Sequence, residues 1–285
     1  MAAPAKRTGK LASVMVIPEI FGMHEYQKDI CRRLAGAGYL AVTLDPFFRS
    51  GDLAKMTDIK EVIAKANSLE DKQMLADLDA LVAFIEQQPR ANAKKLGITG
   101  MCRGGRTVWM YTAHSKKIKA GVSWYGGLNP MPPAMPLTPI DVADKLNAPV
   151  LGLYGGADTG IPLDQVERMR QRILGACGGQ NAASGIAFIE SAGEARFVRQ
   201  RLHRRAQPVH LHLDHAASPA FKPRSSSAII AAIGRWLVAC AWRHTRFHTG
   251  PQRSFMMLAA NAGASFKARA CNRAPGEGAS IAAAR

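Results

Sequence analysis

Leu96-Gly97-Ile98-Thr99-Gly100-Met101-Cys102-Arg103-Gly104-Gly105 reads as a short buried strand that breaks at a cysteine and opens directly into a helix. Glycines stand two residues before and two residues after that cysteine. A side chain on so sharp a strand-to-helix bend carries strained backbone angles, and residues without Cβ leave room for the flanking strand and helix. The bend lifts Sγ above the sheet edge and aims the first N–H groups of the helix at whatever sits there, which stabilises an anion. This is a nucleophile elbow with sulfur where a serine oxygen usually stands. The same residues also suit a buried structural cysteine before a glycine-rich turn, so the surrounding chain has to decide.

Working outward, Ala12 to Ile17 is a short apolar, β-branched run ended by Pro18, a buried strand. Glu25 to Gly38 follows with Ile30, Leu34 and Ala37 on one helical face, closed by Gly36 and Gly38. Tyr39 to Leu44 is the next strand, stopped by Asp45-Pro46. From Asp71 to Gln88, apolar residues at Met74, Leu75, Leu78, Leu81, Val82 and Ile85 predict an amphipathic helix. After the elbow come a helix through Ala113, a strand at Ala120–Tyr125, a strand at Pro149–Tyr154 and a helix at Leu163–Leu174. Strands alternating with helices give an α/β class: a doubly wound, mostly parallel sheet with helices on both faces. In such sheets the ligand lies outside the carboxyl ends of the strands. Glu19, Cys102 and Asp158 all fall just past such ends.

Pro18-Glu19-Ile20-Phe21-Gly22, Gly38-Tyr39, Asp45-Pro46-Phe47, Gly100 to Gly105 and Gly155-Gly156-Ala157-Asp158-Thr159-Gly160-Ile161-Pro162 occur in that order along the chain. Over residues 10 to about 192 the chain resembles the dienelactone hydrolase (carboxymethylenebutenolidase) family of the α/β-hydrolase superfamily. The resemblance implies a Cys-His-Asp triad that opens a small ester or enol-lactone through a thioester, without metal or cofactor. Cys102 takes the place of the nucleophile and Asp158 that of the acid orienting the histidine. Glu19 matches the glutamate that meets the resting thiol, and the N–H groups of Ile20 and Arg103 match the oxyanion hole.

The chemistry of these residues is compatible with those roles. An ordinary thiol titrates near about 8.5, so little is thiolate at neutral pH without a base or a helix N-terminus. A carboxylate at Glu19 can accept the proton, yet its negative charge also raises the thiol's pKa. The nucleophile then stays protonated until substrate displaces the glutamate. Each residue has a plainer reading: Glu19 as an N-cap for the helix near His24, and Asp158 as an Asx turn. Arg103 either meets an anionic substrate or is an exposed first-turn residue.

The histidine does not fall where the resemblance places it. Ile186 to Ile189 can serve as the preceding strand, but the following Ala192-Gly193-Glu194-Ala195-Arg196-Phe197 puts Glu194 at the histidine's place. A glutamate, with its reference pKa of roughly 4.3, is poorly matched to proton transfer at neutral pH unless burial raises it. His203, His210, His212 and His215 are the nearest imidazoles in sequence. His203 is the closest and requires a local loop shift; each of the four also reads as a solvated loop residue.

The composition changes at the same point. Residues 1–192 carry 23 Lys and Arg against 18 Asp and Glu, whereas residues 193–285 carry 15 against 3, and 13 of those 15 are arginine. Ser227 to Ala241 has one helical apolar face and suits the closing helix of the sheet, so the hydrolase domain is expected over 1–241. Residues 242–285 read as a poorly ordered basic extension. Three explanations compete for the C-terminal third: a basic arm binding nucleic acid through phosphates, an extension with no partner, or a change of reading frame in the gene. The first goes with a catalytically impaired hydrolase homologue whose Arg-rich tail binds polyanions. The last accounts best for an abrupt loss of resemblance together with an Arg-, Ala-, His- and Ser-rich composition.

Five cysteines at irregular spacing, with no CxxC pair, argue for a reducing cytoplasm and against zinc. Met1 to Lys10 has no apolar segment of the secretory type, and no apolar run reaches the length of a membrane span. No G-x-G-x-x-G loop is present for a dinucleotide. The expected partner is a small-molecule ester or lactone.

Overall fold

The computed structural model describes residues 1–131, 133–156 and 158–175, and the backbone of 185–189, 196–197 and 209–210. Its first strand is β1 (Leu11–Ile17), which is almost wholly buried. Side chains alternate across it: Met15 and Ile17 join one core cluster, Val14 and Val16 the other. A run apolar on both faces suits a strand covered by helices on each side.

Five further strands complete the sheet: β2 (Leu40–Thr43), β3 (Ala91–Met101), β4 (Ile118–Trp124), β5 (Val150–Gly155) and β6 (Gly185–Ile189). The order is β2-β1-β3-β4-β5-β6, and every neighbouring pair is parallel. Parallel neighbours need crossovers, and helices supply them. On one face, α1 (Glu25–Gly36) buries Tyr26, Ile30, Cys31 and Leu34. On the other lie α3 (Asp71–Gln87), α4 (Arg103–His114) and α6 (Leu163–Gly175), which contribute Leu78, Trp109 and Met169 to the larger core. A single-turn α5 (Pro139–Val142), with a Thr138–Asp141 capping box, precedes β5.

The order reverses at β1, because β2 lies to one side of it and β3 to the other. Connections leaving β1 and β3 diverge there, which opens a crevice at their carboxyl ends. Glu19 follows β1 and Cys102 follows β3, so the two expected site residues flank this switch point.

The expected elements are present, with shifted bounds. β3 begins at Ala91, and its register against β1 shifts between Ala12 and Ser13. α1 stops at Gly36, and Gly38 turns the chain at φ +98°. An added helix, α2 (Ile59–Ser68), was not anticipated from periodicity. Its N-terminus is capped by Asp58, whose side chain accepts the Lys60 N–H, while Val62 and Ala66 pack with Phe47 and Leu53. Ala2 bridges antiparallel to Ala41 on the outer edge of β2. Beyond the sheet, β7 (Arg196–Phe197) pairs antiparallel with β8 (Val209–His210). The helix expected at 227–241 and the extension at 242–285 lie outside the described residues.

Candidate active site

Cys102 has φ +53° and ψ −119°, a left-handed conformation that non-glycine residues rarely adopt. Its N–H donates to Trp124 O at 3.0 Å on the neighbouring strand, and its carbonyl accepts the Arg106 N–H at 3.0 Å to start α4. The glycines at the bend are there for space. A Cβ on Gly100 would run into the backbone of Gly104, and one on Gly104 into the carbonyls of Ile17 and Pro18. Ser123 Oγ donates to Gly105 O at 2.8 Å and ties the first turn of α4 to β4.

The thiol is partly exposed as a residue, and its pKa is pushed up to about 11. Burial of the sulfur is the main cause and the Glu19 carboxylate the second, with a smaller push from Asp158. The Arg103 backbone N–H hydrogen-bonds to the sulfur and pulls the other way. That N–H is therefore directed at the sulfur. Ile20, in the loop after β1, packs against the cluster of Phe47, Leu53, Val62 and Ala66.

Glu19 is 6 % exposed, a carboxylate largely removed from water. The Tyr125 hydroxyl donates to its Oε1 at 3.2 Å, and His24 Nε2 stands 3.8 Å from its Oε2. Tyr125 follows β4 in a left-handed conformation (φ +36°), and its N–H donates to Leu153 O at 2.8 Å. Burial first, and the Glu19 charge second, drive the Tyr125 phenol well above its usual range, so it acts as a neutral donor. The alternative reading of Glu19 as a helix cap does not hold, because α1 begins after His24.

Asp158 lies after β5, where its Oδ1 accepts the Gly160 N–H at 2.8 Å. It makes the Asx turn of the plainer reading, and its charge also reaches the Cys102 thiol. The reading of Arg103 as an exposed first-turn residue does not hold. The guanidinium is buried, donates to Leu69 O and to Met135 Sδ at 2.9 Å each, and lies 5.9 Å from the Phe47 ring centroid. Burial lowers its pKa to about 10. It anchors the segments beside α4 internally.

One turn on, Arg106 makes a bidentate pair with Asp71 (2.6 and 2.8 Å) and donates to Leu137 O at 2.6 Å. Together the two arginines fasten residues 69–71 and 135–137 to the elbow helix. His203, His212, His215 and Glu194 lie outside the described residues, and of His210 the backbone alone is described. Among residues with described side chains, His24 and His114 carry the imidazoles, and His114 pairs with Asp79 on the surface. No described residues form a cluster of three or more metal-ligating side chains. No helix of the described residues is long and apolar enough to cross a membrane.

A bent strand–helix cysteine at the switch point of a parallel sheet, facing a buried carboxylate, is the setting in which the comparisons with known proteins fall. The dienelactone hydrolase family matches residues 1–182. The chain belongs to that family. A Methylorubrum extorquens protein provisionally named carboxymethylenebutenolidase is 43% identical over 203 residues, 70% of this chain and 68% of that protein. A Bradyrhizobium protein provisionally named 2-oxo-3-(5-oxofuran-2-ylidene)propanoate lactonase is 30% identical over 168 residues, 58% of this chain and 67% of that one. A crystal structure titled as a provisional dienelactone hydrolase of Klebsiella pneumoniae matches at 43% identity with a TM-score of 0.61, covering 65% of this chain and 76% of that one. The family match ends at residue 182, before the composition changes. Nothing in these comparisons points to a nucleic-acid partner for the basic C-terminal third.

Tyr125, His24 and the Asp71–Arg106 pair are the site-forming residues that sequence reasoning missed. Tyr125 lies 106 positions from Glu19, and Arg106 lies 35 from Asp71. The Asp58 cap marks the start of α2 but none of these residues.

Proposed function

We propose that the chain hydrolyses small carboxylic esters or enol-lactones with Cys102 as nucleophile. The observation that carries the reading is the left-handed Cys102 at the head of α4, with the Arg103 N–H on its sulfur and Glu19 as the strongest neighbouring charge. Family membership and the names of the relatives support a lactone as the substrate class.

In this mechanism the thiol loses its proton to Glu19 when substrate enters. The thiolate attacks the ester carbonyl carbon, and the C=O pair moves onto oxygen. The N–H groups of Arg103 and Ile20 stabilise that oxyanion, and the Arg103 N–H gains from the helix N-terminus behind it. Collapse expels the enolate or alkoxide oxygen and leaves a thioester on Cys102. Water then attacks the thioester, the carboxylic acid leaves and the thiol is restored. Asp158 orients the histidine that passes protons to the leaving group and from the water, and His203 is the candidate for that histidine. The reaction draws on a bound small molecule, water and side chains, and we place it in the cytoplasm.

The test compares wild type with Cys102→Ala and Cys102→Ser on a p-nitrophenyl ester and an enol-lactone, with circular dichroism to verify folding. Both variants should lose at least about 10³-fold in kcat, because the covalent route is gone. Mass spectrometry of quenched wild type should show an acyl adduct on the peptide containing Cys102. Retained turnover by folded Cys102→Ala would end the proposal.

A further inference from the structure

We infer that His24 is a positioning residue for the Cys102 proton, acting through Glu19; the inference rests on Cys102 being the nucleophile. Three features of the ring have no explanation in packing alone.

The first is its place. His24 occupies the N-cap position of α1, with φ −102° and ψ 176°, yet its side chain makes no capping hydrogen bond. A serine, threonine, aspartate or asparagine would stabilise that helix end better than a residue that does not cap. Helix formation therefore does not account for an imidazole here.

The second is its confinement. The side chain is 10 % exposed, stacked on Tyr26 (centroids 6.1 Å apart, planes at 9°) and edge-on to Phe21 (6.5 Å, 77°). The ring is thus held in one orientation, with little freedom to turn towards water.

The third is where Nε2 points. It is buried, has no hydrogen-bond partner among the described residues, and lies 3.8 Å from Glu19 Oε2. Buried polar atoms are nearly always paired, and an orphan is costly unless it serves a function. The separation is longer than a hydrogen bond and too short for a bridging water. Glu19 meanwhile uses its other oxygen, Oε1, to accept from Tyr125. One oxygen is anchored by Tyr125, and the other faces the imidazole.

The titratable groups around the ring come from several elements. Glu19 comes from the loop after β1 and Tyr26 from α1 itself. Beyond Glu19 stand Tyr125, Cys102 and Asp158, following β4, β3 and β5.

The proton step balances without any further reactant. The Cys102 S–H bond breaks and its proton passes to Glu19; the Glu19 O–H then breaks and the proton passes to Nε2 of a neutral His24. The result is a thiolate, a carboxylate and an imidazolium. Glu19 recovers its charge while the proton is stored one residue further from the sulfur. When the thioester is hydrolysed and the thiol re-forms, the proton returns by the same route.

The experiment follows alkylation of Cys102 by iodoacetamide across pH, with peptide mass mapping to assign the site, alongside steady-state kinetics. In wild type, stored protons couple the two groups, so the logarithm of the alkylation rate should flatten to a shoulder on the acid side of the thiol's own titration. In His24→Gln, which keeps a side-chain N–H but accepts no proton, the shoulder should vanish. Turnover should fall about 10- to 100-fold in kcat with KM nearly unchanged. A shoulder that persists in His24→Gln, or a kcat equal to wild type, would overturn the inference. If His24→Gln fails to fold by circular dichroism, His24→Asn takes its place: loss of the shoulder with a reduced kcat supports the inference, and retention of either overturns it. Turnover by Cys102→Ala would instead end the nucleophile reading, and the shoulder would still report the Glu19–His24 coupling by itself.

Discussion

Replacing Glu19 with glutamine should move the reactivity of the resting thiol and the rate of turnover in opposite directions. In the folded chain the Cys102 thiol is raised from an ordinary 9.0 to about 11. At pH 7 such a thiol is ionised to about one part in 10⁴, against about one part in 10² for an unperturbed one. Burial is the larger cause and survives the substitution; the Glu19 charge is the second and does not. Glu19→Gln should therefore recover part of that hundredfold, an increase of about 3- to 30-fold in alkylation rate at pH 7. The glutamine amide keeps an oxygen for the Tyr125 hydroxyl, so the loop after β1 should hold its place. Turnover should fall by at least about 10²-fold, because the group proposed to take the thiol proton is gone. Iodoacetamide kinetics under pseudo-first-order conditions, beside kcat on a p-nitrophenyl ester, give both numbers from one preparation. An alkylation rate that is unchanged or slower in folded Glu19→Gln would refute the electrostatic account of the site. Turnover that rises with alkylation would show that Glu19 acts only as a repulsive charge.

Arg106→Met should destabilise the fold by about 3 kcal/mol in urea denaturation, because it leaves the Asp71 carboxylate without its bidentate partner at a largely buried position; a loss below about 1 kcal/mol would mean that the pair is solvated. Gly100→Ala should yield little folded protein, since its Cβ collides with the Gly104 backbone, and normal expression with an unchanged melting temperature would count against the bend described here. Stability should fall as the pH rises through 9 towards 11, because the buried Cys31 thiol, raised to about 11 mainly by burial, is held protonated by the fold but ionises in the unfolded chain. That contribution is fully present below the unfolded thiol's range, amounts to about 2–3 kcal/mol, and should disappear from the pH slope of Cys31→Ala. If the C-terminal third arises from a change of reading frame, translating the coding DNA in the two other frames beyond about codon 190 should restore an Ala-Gly-His-x-Phe-like stretch, and its absence from both would remove that explanation.

The bend at Cys102 was legible in the sequence because its causes are local. Gly100 and Gly104 are spaced so that strand and helix can pass within backbone contact, and no residue with a Cβ permits that approach. The parallel sheet was legible for a similar reason: short apolar runs such as Leu11–Ile17 alternate with helical periods such as Asp71–Gln87. α2 was missed because just two of its ten residues, Val62 and Ala66, are buried, and its packing partners Phe47 and Leu53 lie outside it. Arg103 was misjudged because a charged residue in the first turn of a helix is usually solvated. Here Leu69 O, Met135 Sδ and the Phe47 ring, all distant in sequence, enclose it.

From the sequence alone came the bend at Cys102, the acidic residues Glu19 and Asp158 just past strand ends, and the class of sheet that carries them, since each depends on residue types within a few positions of one another. Tertiary structure alone decided the surroundings of Glu19, where Tyr125 from the end of β4 and His24 from the start of α1 meet the carboxylate at its two different oxygens. The strand order β2-β1-β3-β4 brings those three loops to one sheet edge. Such proximity comes from the winding of the chain around β1, and a one-dimensional pattern carries no trace of it.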